Sequence, residues 1–312
     1  MAVLAIDIGG TKLAAGVVDA GGRILARGEV PTIAAEGPTR VLERIVGLGK
    51  DLLGRSAVSV DAARRIGVGC AGPVDRLAGL VLDPPNLPGW TRVALVDHLQ
   101  QAFGLPVILE NDANAAALGE FRYGAGKGTR SLVYLTVSTG IGGGIVLDGK
   151  IWHGLNDAAG EIGHMTIAPD GPLCGCGNYG CLEAFASGPS IARRAREALA
   201  GGRPTRLRGV PSLTAADVVR LAREGDEVAC EVWEETVRYL SLGVAAAITI
   251  LAPERVVIGG GVTEAGEFLF EPLRREVRSR VKLVPMESIP ILPAGLGRDV
   301  GILGAAAVAL DA

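Results

Sequence analysis

The chain has 312 residues, 48% hydrophobic and 21% charged, enough to bury the core of one large domain or two ordinary ones. A net charge of −3 and the lack of clustered Lys and Arg argue against a nucleic-acid partner, and the run Arg193, Arg194, Arg196 reads as the solvated face of a helix. The uncharged run over 239–253 falls short of the ~20 residues a bilayer span needs, and MAVLAIDIGG reads as a strand rather than a signal peptide. A soluble, cytoplasmic protein without a membrane partner is therefore expected.

The chain opens with an apolar strand over 3–8, a turn at Gly9-Gly10-Thr11-Lys12, a second strand over 13–18, a turn over 19–22 and a third strand over 23–29. Val41, Leu42, Ile45, Leu48 and Leu52 form a helical stripe, and 66–70 and 107–109 read as short buried strands. A helix is predicted over 113–121. The opening plan then recurs: a strand over 132–137, a glycine-rich turn over 138–144, and strands over 145–147 and 150–152. Helices follow over 190–199, 215–223 and 226–251, the last stopped by Pro253. A strand over 255–258, the turn Gly259-Gly260-Gly261, a helix over 265–281, a strand over 289–292 and a helix over 302–310 complete the chain. Two three-stranded meanders mixed with strand–helix units predict an α/β protein with two similar lobes, divided near 118–128.

Glycine turns between strands let backbone N–H groups converge on an anion. DIGGTK supplies Asp7, Gly9, Gly10, Thr11 and Lys12, and STGIGGG supplies Thr139 and Gly140. Neither has the spacing of a P-loop, and a Gly-Gly pair also serves plain turn chemistry, but two such turns in a duplicated plan favour phosphate. Asp7 suits Mg²⁺, directly or through water; its alternative is a turn-capping carboxylate. In PVILENDANAAALGEF a buried strand ends at Glu110-Asn111-Asp112 and a helix begins. Asp112 reads either as an N-cap or first-turn residue, or as the base that takes a hydroxyl proton in phosphoryl transfer. Asn111 can donate and accept, as recognition of a sugar hydroxyl requires.

CGCGNYGCLE holds Cys174, Cys176 and Cys181, three of the five cysteines, with His164 ten residues upstream of the first. Inert thiols in a glycine-rich loop are one reading. The Cys₃His combination favours a closed structural zinc site. Glu161 and His164, three apart, share a face on a helical turn, and Glu183 follows Cys181 by two residues.

DIGGTK, ENDANAA, STGIGGG, GEIGHM and CGCGNYGCLE, in this order and over essentially the whole chain, resemble the ROK family of sugar kinases and sugar-responsive repressors, most of all its bacterial glucokinases. The resemblance implies two ribonuclease-H-like lobes of the actin/hexokinase type with a cleft between them. The N-terminal lobe would span 1–118, joined by the C-terminal helix at about 300–312, and the C-terminal lobe 119–299 would carry the zinc loop. It implies Asp112 as catalytic base and a zinc ion on His164, Cys174, Cys176 and Cys181. Gly72, Asn111, Asp112, Glu161, His164 and Glu183 would bind the sugar, His164 using one ring nitrogen for zinc and the other for a sugar hydroxyl. Asp7, Gly9, Gly10, Thr11, Lys12, Thr139 and Gly140 would hold the phosphates of Mg·ATP, with Gly259 and Gly260 near the adenosine.

The implied reaction is ATP-dependent phosphorylation of the 6-hydroxyl of glucose, giving glucose 6-phosphate at the entry to glycolysis, by a homodimer or homotetramer. N-acetylmannosamine or another hexose is the alternative acceptor, and a sugar-sensing regulator the alternative role. The regulators carry a helix-turn-helix ahead of the sugar-binding lobes, for which a first strand at residue 3 leaves no room. Two departures bear on the choice of sugar: Pro73 stands where relatives carry varied residues, and Asp157 where glycine is common.

Overall fold

The computed structural model describes residues 2–56 and 63–311. Its first sheet begins with the meander β1 (Ala2–Ile8), β2 (Lys12–Asp19) and β3 (Ile24–Pro31), followed by α1 (Gly37–Arg55). Strand β4 (Ala63–Cys70) pairs parallel with β1. The short strands β5 (Val74–Asp75), β6 (Leu80–Val81) and β7 (Val93–Ala94) form a small antiparallel sheet of their own. After α2 (Leu95–Phe103), β8 (Val107–Asn111) pairs parallel with β4 and runs straight into α3 (Asp112–Tyr123). The order is β3-β2-β1-β4-β8.

The second sheet repeats the plan. Its meander is β9 (Leu132–Val137), β10 (Ile141–Leu147) and β11 (Lys150–Ile151). Four helices follow: α4 (Glu183–Ala186), α5 (Gly188–Ala198), α6 (Ala215–Arg223) and α7 (Glu227–Leu251). Then come β12 (Val256–Gly259), α8 (Glu267–Arg280), β13 (Ile291–Pro293) and α9 (Val300–Asp311). The order is β11-β10-β9-β12-β13, with β12 parallel to both β9 and β13.

Strand chemistry follows position. The inner strand β1 is buried along nearly its whole length, as parallel strands covered on both faces are, whereas edge strand β3 alternates outward and inward. In α7, Asp226 caps the first turn by accepting the Ala229 N–H at 3.0 Å, and Ala252 ends the helix in the left-handed region just before Pro253. Thr214 and Asp217 form a reciprocal capping box on α6.

The chain divides into two compact units. The first comprises Met1–Arg130, Gly144–Ala159 and Gly295–Ala312, and the second Ser131–Gly143 and Gly160–Ala294. The first core gathers β1, β2, β4 and α1 side chains such as Leu4, Ile6, Val41 and Ile45; the second gathers β9, β12, α7 and α8 side chains such as Leu135, Ile258, Leu240 and Phe270.

The second meander departs from expectation in its glycine run, and α2 and the short strands β5, β6 and β7 were not expected. The glycine run 142–144 is not turn but the body of β10, and only Ser138–Gly140 turn. The reason is tertiary: a Cβ on Gly144 would lie 2.8 Å from the Ala113 carbonyl oxygen, and one on Gly143 2.6 Å from that of Gly160. These glycines let backbone approach the strand, a use of glycine that its sequence pattern does not separate from a turn.

Candidate active site

In the first unit β1, β4 and β8 run parallel, and their register sets Asp7 beside Gly69 and Gly69 beside Glu110, with Cys70 beside Asn111 one step on. Asp7, Glu110 and Asn111 therefore stand at the carboxyl ends of adjacent parallel strands, where open α/β sheets bind ligands. Asn111, not Asp112, is the N-cap of α3: its Oδ1 accepts the N–H groups of Ala113 (2.9 Å) and Asn114 (3.2 Å). Asp112 is an exposed first-turn residue whose Oδ1 accepts the Ala113 N–H at 2.8 Å. A helix N-terminus favours the ionised form that a base requires. The Asn111 amide nitrogen lies 2.8 Å from where a Gly72 Cβ would be, so only glycine at 72 leaves that donor in place.

Asp7 is mostly enclosed. Burial, then the negative charge of Asp112, push its carboxyl up to about 7, against a smaller opposing pull from Lys12. A Cβ on Gly301, in the first turn of α9, would fall 2.2 Å from Asp7 Oδ2, so that glycine is what gives the carboxyl its room. Because Asp7 holds its proton more tightly folded than unfolded, its contribution to stability is full below about pH 4 and is lost as pH rises to about 7. Asp7→Asn is accordingly expected to match the parent at pH 4 and to exceed it by roughly 2–4 kcal/mol at pH 8. Urea unfolding at the two pH values, in the absence of Mg²⁺, measures this; equal stabilities at pH 8 would contradict the assigned environment.

The DIGGTK turn is closed by Gly9 N–H donating to Lys12 O at 3.1 Å, and Thr32 Oγ1 donates to Gly9 O at 2.6 Å. Gly10 packs against Asn86, whose carbonyl oxygen would lie 2.6 Å from a Cβ there. Thr11 is exposed, and the Lys12 ammonium sits 3.6 Å from Glu29.

Sequence reasoning missed Glu110 and His153. Glu110 is 3% exposed, and its Oε2 lies 2.7 Å from His153 Nε2. It missed as well that Asp157, one of the two departures noted above, accepts from Arg76 through the backbone N–H (3.2 Å) and Nε (3.4 Å). Neither pair has a local pattern in the chain.

In the second unit His164, Cys174, Cys176 and Cys181 present one ligand atom each, all within 4.8 Å of one another. Cys176 Sγ is 3.7 Å from Cys181 Sγ, and Cys174 Sγ is 3.6 Å from His164 Nδ1. Tetrahedral zinc, with sulfur at ~2.3 Å and nitrogen at ~2.0 Å, separates sulfur pairs by about 3.8 Å and sulfur–nitrogen pairs by about 3.5 Å. The donor set and its spacing therefore fit the ion. Burial pushes the Cys174 thiol up to about 12 and raises Cys181, whereas the Asn178 N–H lowers Cys176. The other ring nitrogen of His164 lies 3.9 Å from Glu161 Oε2, on the one-turn helix that the spacing predicted. Glu183 reaches both ways: Oε1 is 3.8 Å from Cys174 Sγ, and Oε2 accepts the Ile141 N–H at 2.7 Å. That second bond fastens the 138–141 turn, and Gly140 has no room for a Cβ beside the same carboxylate.

Thr139 of that turn, with Gly261, Val262, Leu213, Arg196 and Arg220, lines a cavity of about 900 Å³. This is ample for a nucleoside, and its wall mixes apolar residues with arginines and the carboxylates of Glu224 and Glu264. Gly259 and Gly260 lie just before it and serve close packing: a Cβ on Gly260 would meet Val137 O at 2.4 Å.

The ROK family profile matches residues 3–312. The glucokinase of Thermotoga maritima is 38% identical over 310 residues, covering 98% of this chain and 96% of its own. A ROK hexokinase from Thermus thermophilus superposes with a TM-score of 0.87 at 40% identity, covering 99% of this chain and 98% of that one. A ROK glucokinase from Streptomyces griseus, solved with glucose and AMPPNP, superposes with a TM-score of 0.83 at 35% identity over the full length of both chains.

Proposed function

The chain belongs to the ROK family and has its hexokinase fold, and from that premise we propose that it is an ATP-dependent glucokinase that phosphorylates the 6-hydroxyl of glucose. The observation that carries the reading is the exposed Asp112 carboxylate, at the carboxyl end of β8 and close enough to Asp7 to raise its pKa. The glucose and AMPPNP held by the Streptomyces griseus relative support the choice of both substrates.

Asp112 accepts the proton of the 6-hydroxyl as that oxygen attacks the γ-phosphorus and the bond to the β-phosphate oxygen breaks, releasing ADP. Gly72, Asn111, Glu161, His164 and Glu183 bind and orient the sugar. The backbone turns at Gly9–Lys12 and Thr139–Gly140 hold the phosphates, and Asp7 faces the Mg²⁺ of the nucleotide directly or through water. The 900 Å³ cavity beside Thr139 and Gly261 takes the adenosine, with Gly259 and Gly260 shaping its edge. His164, Cys174, Cys176 and Cys181 would hold a zinc ion, and four protein ligands would make it a structural clamp rather than a catalyst. Among the described residues no helix is long and apolar enough to cross a membrane. A cytoplasmic homodimer or homotetramer working at the head of glycolysis completes the reading.

The test is ADP release from Mg·ATP across glucose, N-acetylmannosamine, N-acetylglucosamine, mannose and fructose, repeated with polyphosphate as donor. Glucose is expected to give the highest kcat/KM. Preference for N-acetylmannosamine would move the chain to the alternative acceptor, and no sugar-dependent release from either donor would remove the kinase reading.

A further inference from the structure

Behind Asp112, and still within the first unit, lies a buried polar cluster that the proposed chemistry does not use. Glu110 Oε1 accepts two hydrogen bonds, from the Asn111 backbone N–H (3.0 Å) and from Asn114 Nδ2 (3.1 Å). Its Oε2 is 2.7 Å from His153 Nε2. A carboxylate only accepts, so the imidazole donates. Glu110 and Asn114 are 3% and 2% exposed, and the Asn114 side-chain oxygen Oδ1 meets no hydrogen-bond partner among the described residues. The Asn114 amide is therefore held by Glu110 through its nitrogen. Asn111 and Asn114 flank Asp112 on both sides, and Asn111 Oδ1 caps the same turn. Gly144 of β10 presses on this turn at the Ala113 carbonyl and the Asn114 backbone, leaving it no space in which to relax.

His153 comes from the segment after β11, far from Glu110 in the chain. Near it Gly154 (φ 67°), Asn156 (φ 51°) and Asp157 (φ 59°) all adopt the left-handed region, and Arg76 holds the Asp157 carboxylate. Two non-glycine residues in that region persist only where the surroundings over-determine them. The segment is thus fixed to the first unit at two points, His153–Glu110 and Asp157–Arg76, and the first of them reaches the catalytic corner.

We propose that His153 is a positioning residue: by holding Glu110 it fixes the Asn111 peptide and the first turn of α3, and so the aim of Asp112. The inference rests on Asp112 being the base. A reacting group displaced by about 1 Å can cost up to ~10²-fold in rate, and a buried carboxylate that loses its donor shifts to find another.

The experiment measures kcat and glucose KM for His153→Leu, His153→Gln, Asp112→Asn and the double variant His153→Leu/Asp112→Asn, with thermal midpoints for all four. His153→Leu fills a similar volume without a donor and is expected to lower kcat about 10- to 100-fold with glucose KM within about threefold. His153→Gln restores an N–H toward Glu110 and is expected to recover most of the rate. The double variant is expected to turn over no more slowly than Asp112→Asn alone, because His153 acts only through Asp112. A multiplicative loss in the double variant, or a wild-type kcat in His153→Leu, would overturn the proposal while leaving the base assignment intact. An active Asp112→Asn would instead remove the base, and the positioning role with it.

Discussion

Asp112→Asn lowers kcat for glucose phosphorylation by about 10²–10⁴-fold, the span that removal of a general base usually costs. Asparagine keeps an oxygen where Asp112 Oδ1 accepts the Ala113 N–H, so the first turn of α3 stays formed. What it loses is the lone pair able to take the sugar proton. Glucose affinity measured by calorimetry is expected to stay within about threefold, since the carboxylate works in the transition state rather than in binding. Burial is the main cause of the raised Asp7 carboxyl; the substitution removes the second, the Asp112 charge, so that carboxyl should move down but stay above the usual carboxylate range. A variant with parental kcat would take Asp112 out of the mechanism.

The second large effect concerns the metal clamp. Cys176→Ser removes one of the four ligands, from the most exposed position in the set. The three remaining groups cannot close a tetrahedral site, and burial favours the protonated thiols of Cys174 and Cys181 over the thiolates that zinc requires. Two consequences follow from the geometry. His164, whose Nδ1 faces Cys174, loses the restraint that aims its other nitrogen beside Glu161. Glu183 keeps the Ile141 N–H but faces a Cys174 sulfur that the metal no longer holds in place. Metal content by mass spectrometry should fall from one ion per chain to none, and the glucose Kd should weaken by about 10- to 100-fold, the scale on which supporting interactions at metal sites act. Far-ultraviolet dichroism separates this from unfolding, because the strands and helices β9, β12, α7 and α8 that supply most of the second core lie outside the ligand segment. Unchanged glucose affinity in a zinc-free, folded variant would show that the loop does not serve sugar binding.

How far these sites could be read from the chain depended on whether their residues are close in sequence. Cys174, Cys176 and Cys181 fall within eight residues, so with His164 upstream they favoured a metal ligand set over inert thiols, and the fold brings the four ligand atoms within 4.8 Å of one another. The two meanders were legible because apolar runs alternate with glycine turns, and α6 was legible because its apolar stripe starts at a Thr–Asp capping box. The errors have a common physical source. Gly143 and Gly144 look like turn residues but sit in a strand, because whether glycine bends a chain or admits a neighbour is decided by partners far away. Asn111 and Asp112 are both good caps, and only the geometry at the end of β8 assigned the role to Asn111. The strands β5, β6 and β7 are two residues each, too short to carry a period. Gly301 beside Asp7 and His153 beside Glu110 are meetings of distant segments, and no window along the chain contains both partners.

The central claim is transfer of the terminal phosphoryl group of ATP to one particular oxygen of glucose. The zinc-loaded protein incubated with γ-labelled Mg·ATP and glucose, with products resolved by phosphorus and carbon NMR, tests it most directly. The account predicts label on O6 of glucose in one-to-one ratio with ADP, formed about 10²–10⁴-fold more slowly by Asp112→Asn. Label recovered only as inorganic phosphate, or on a different oxygen, would contradict it.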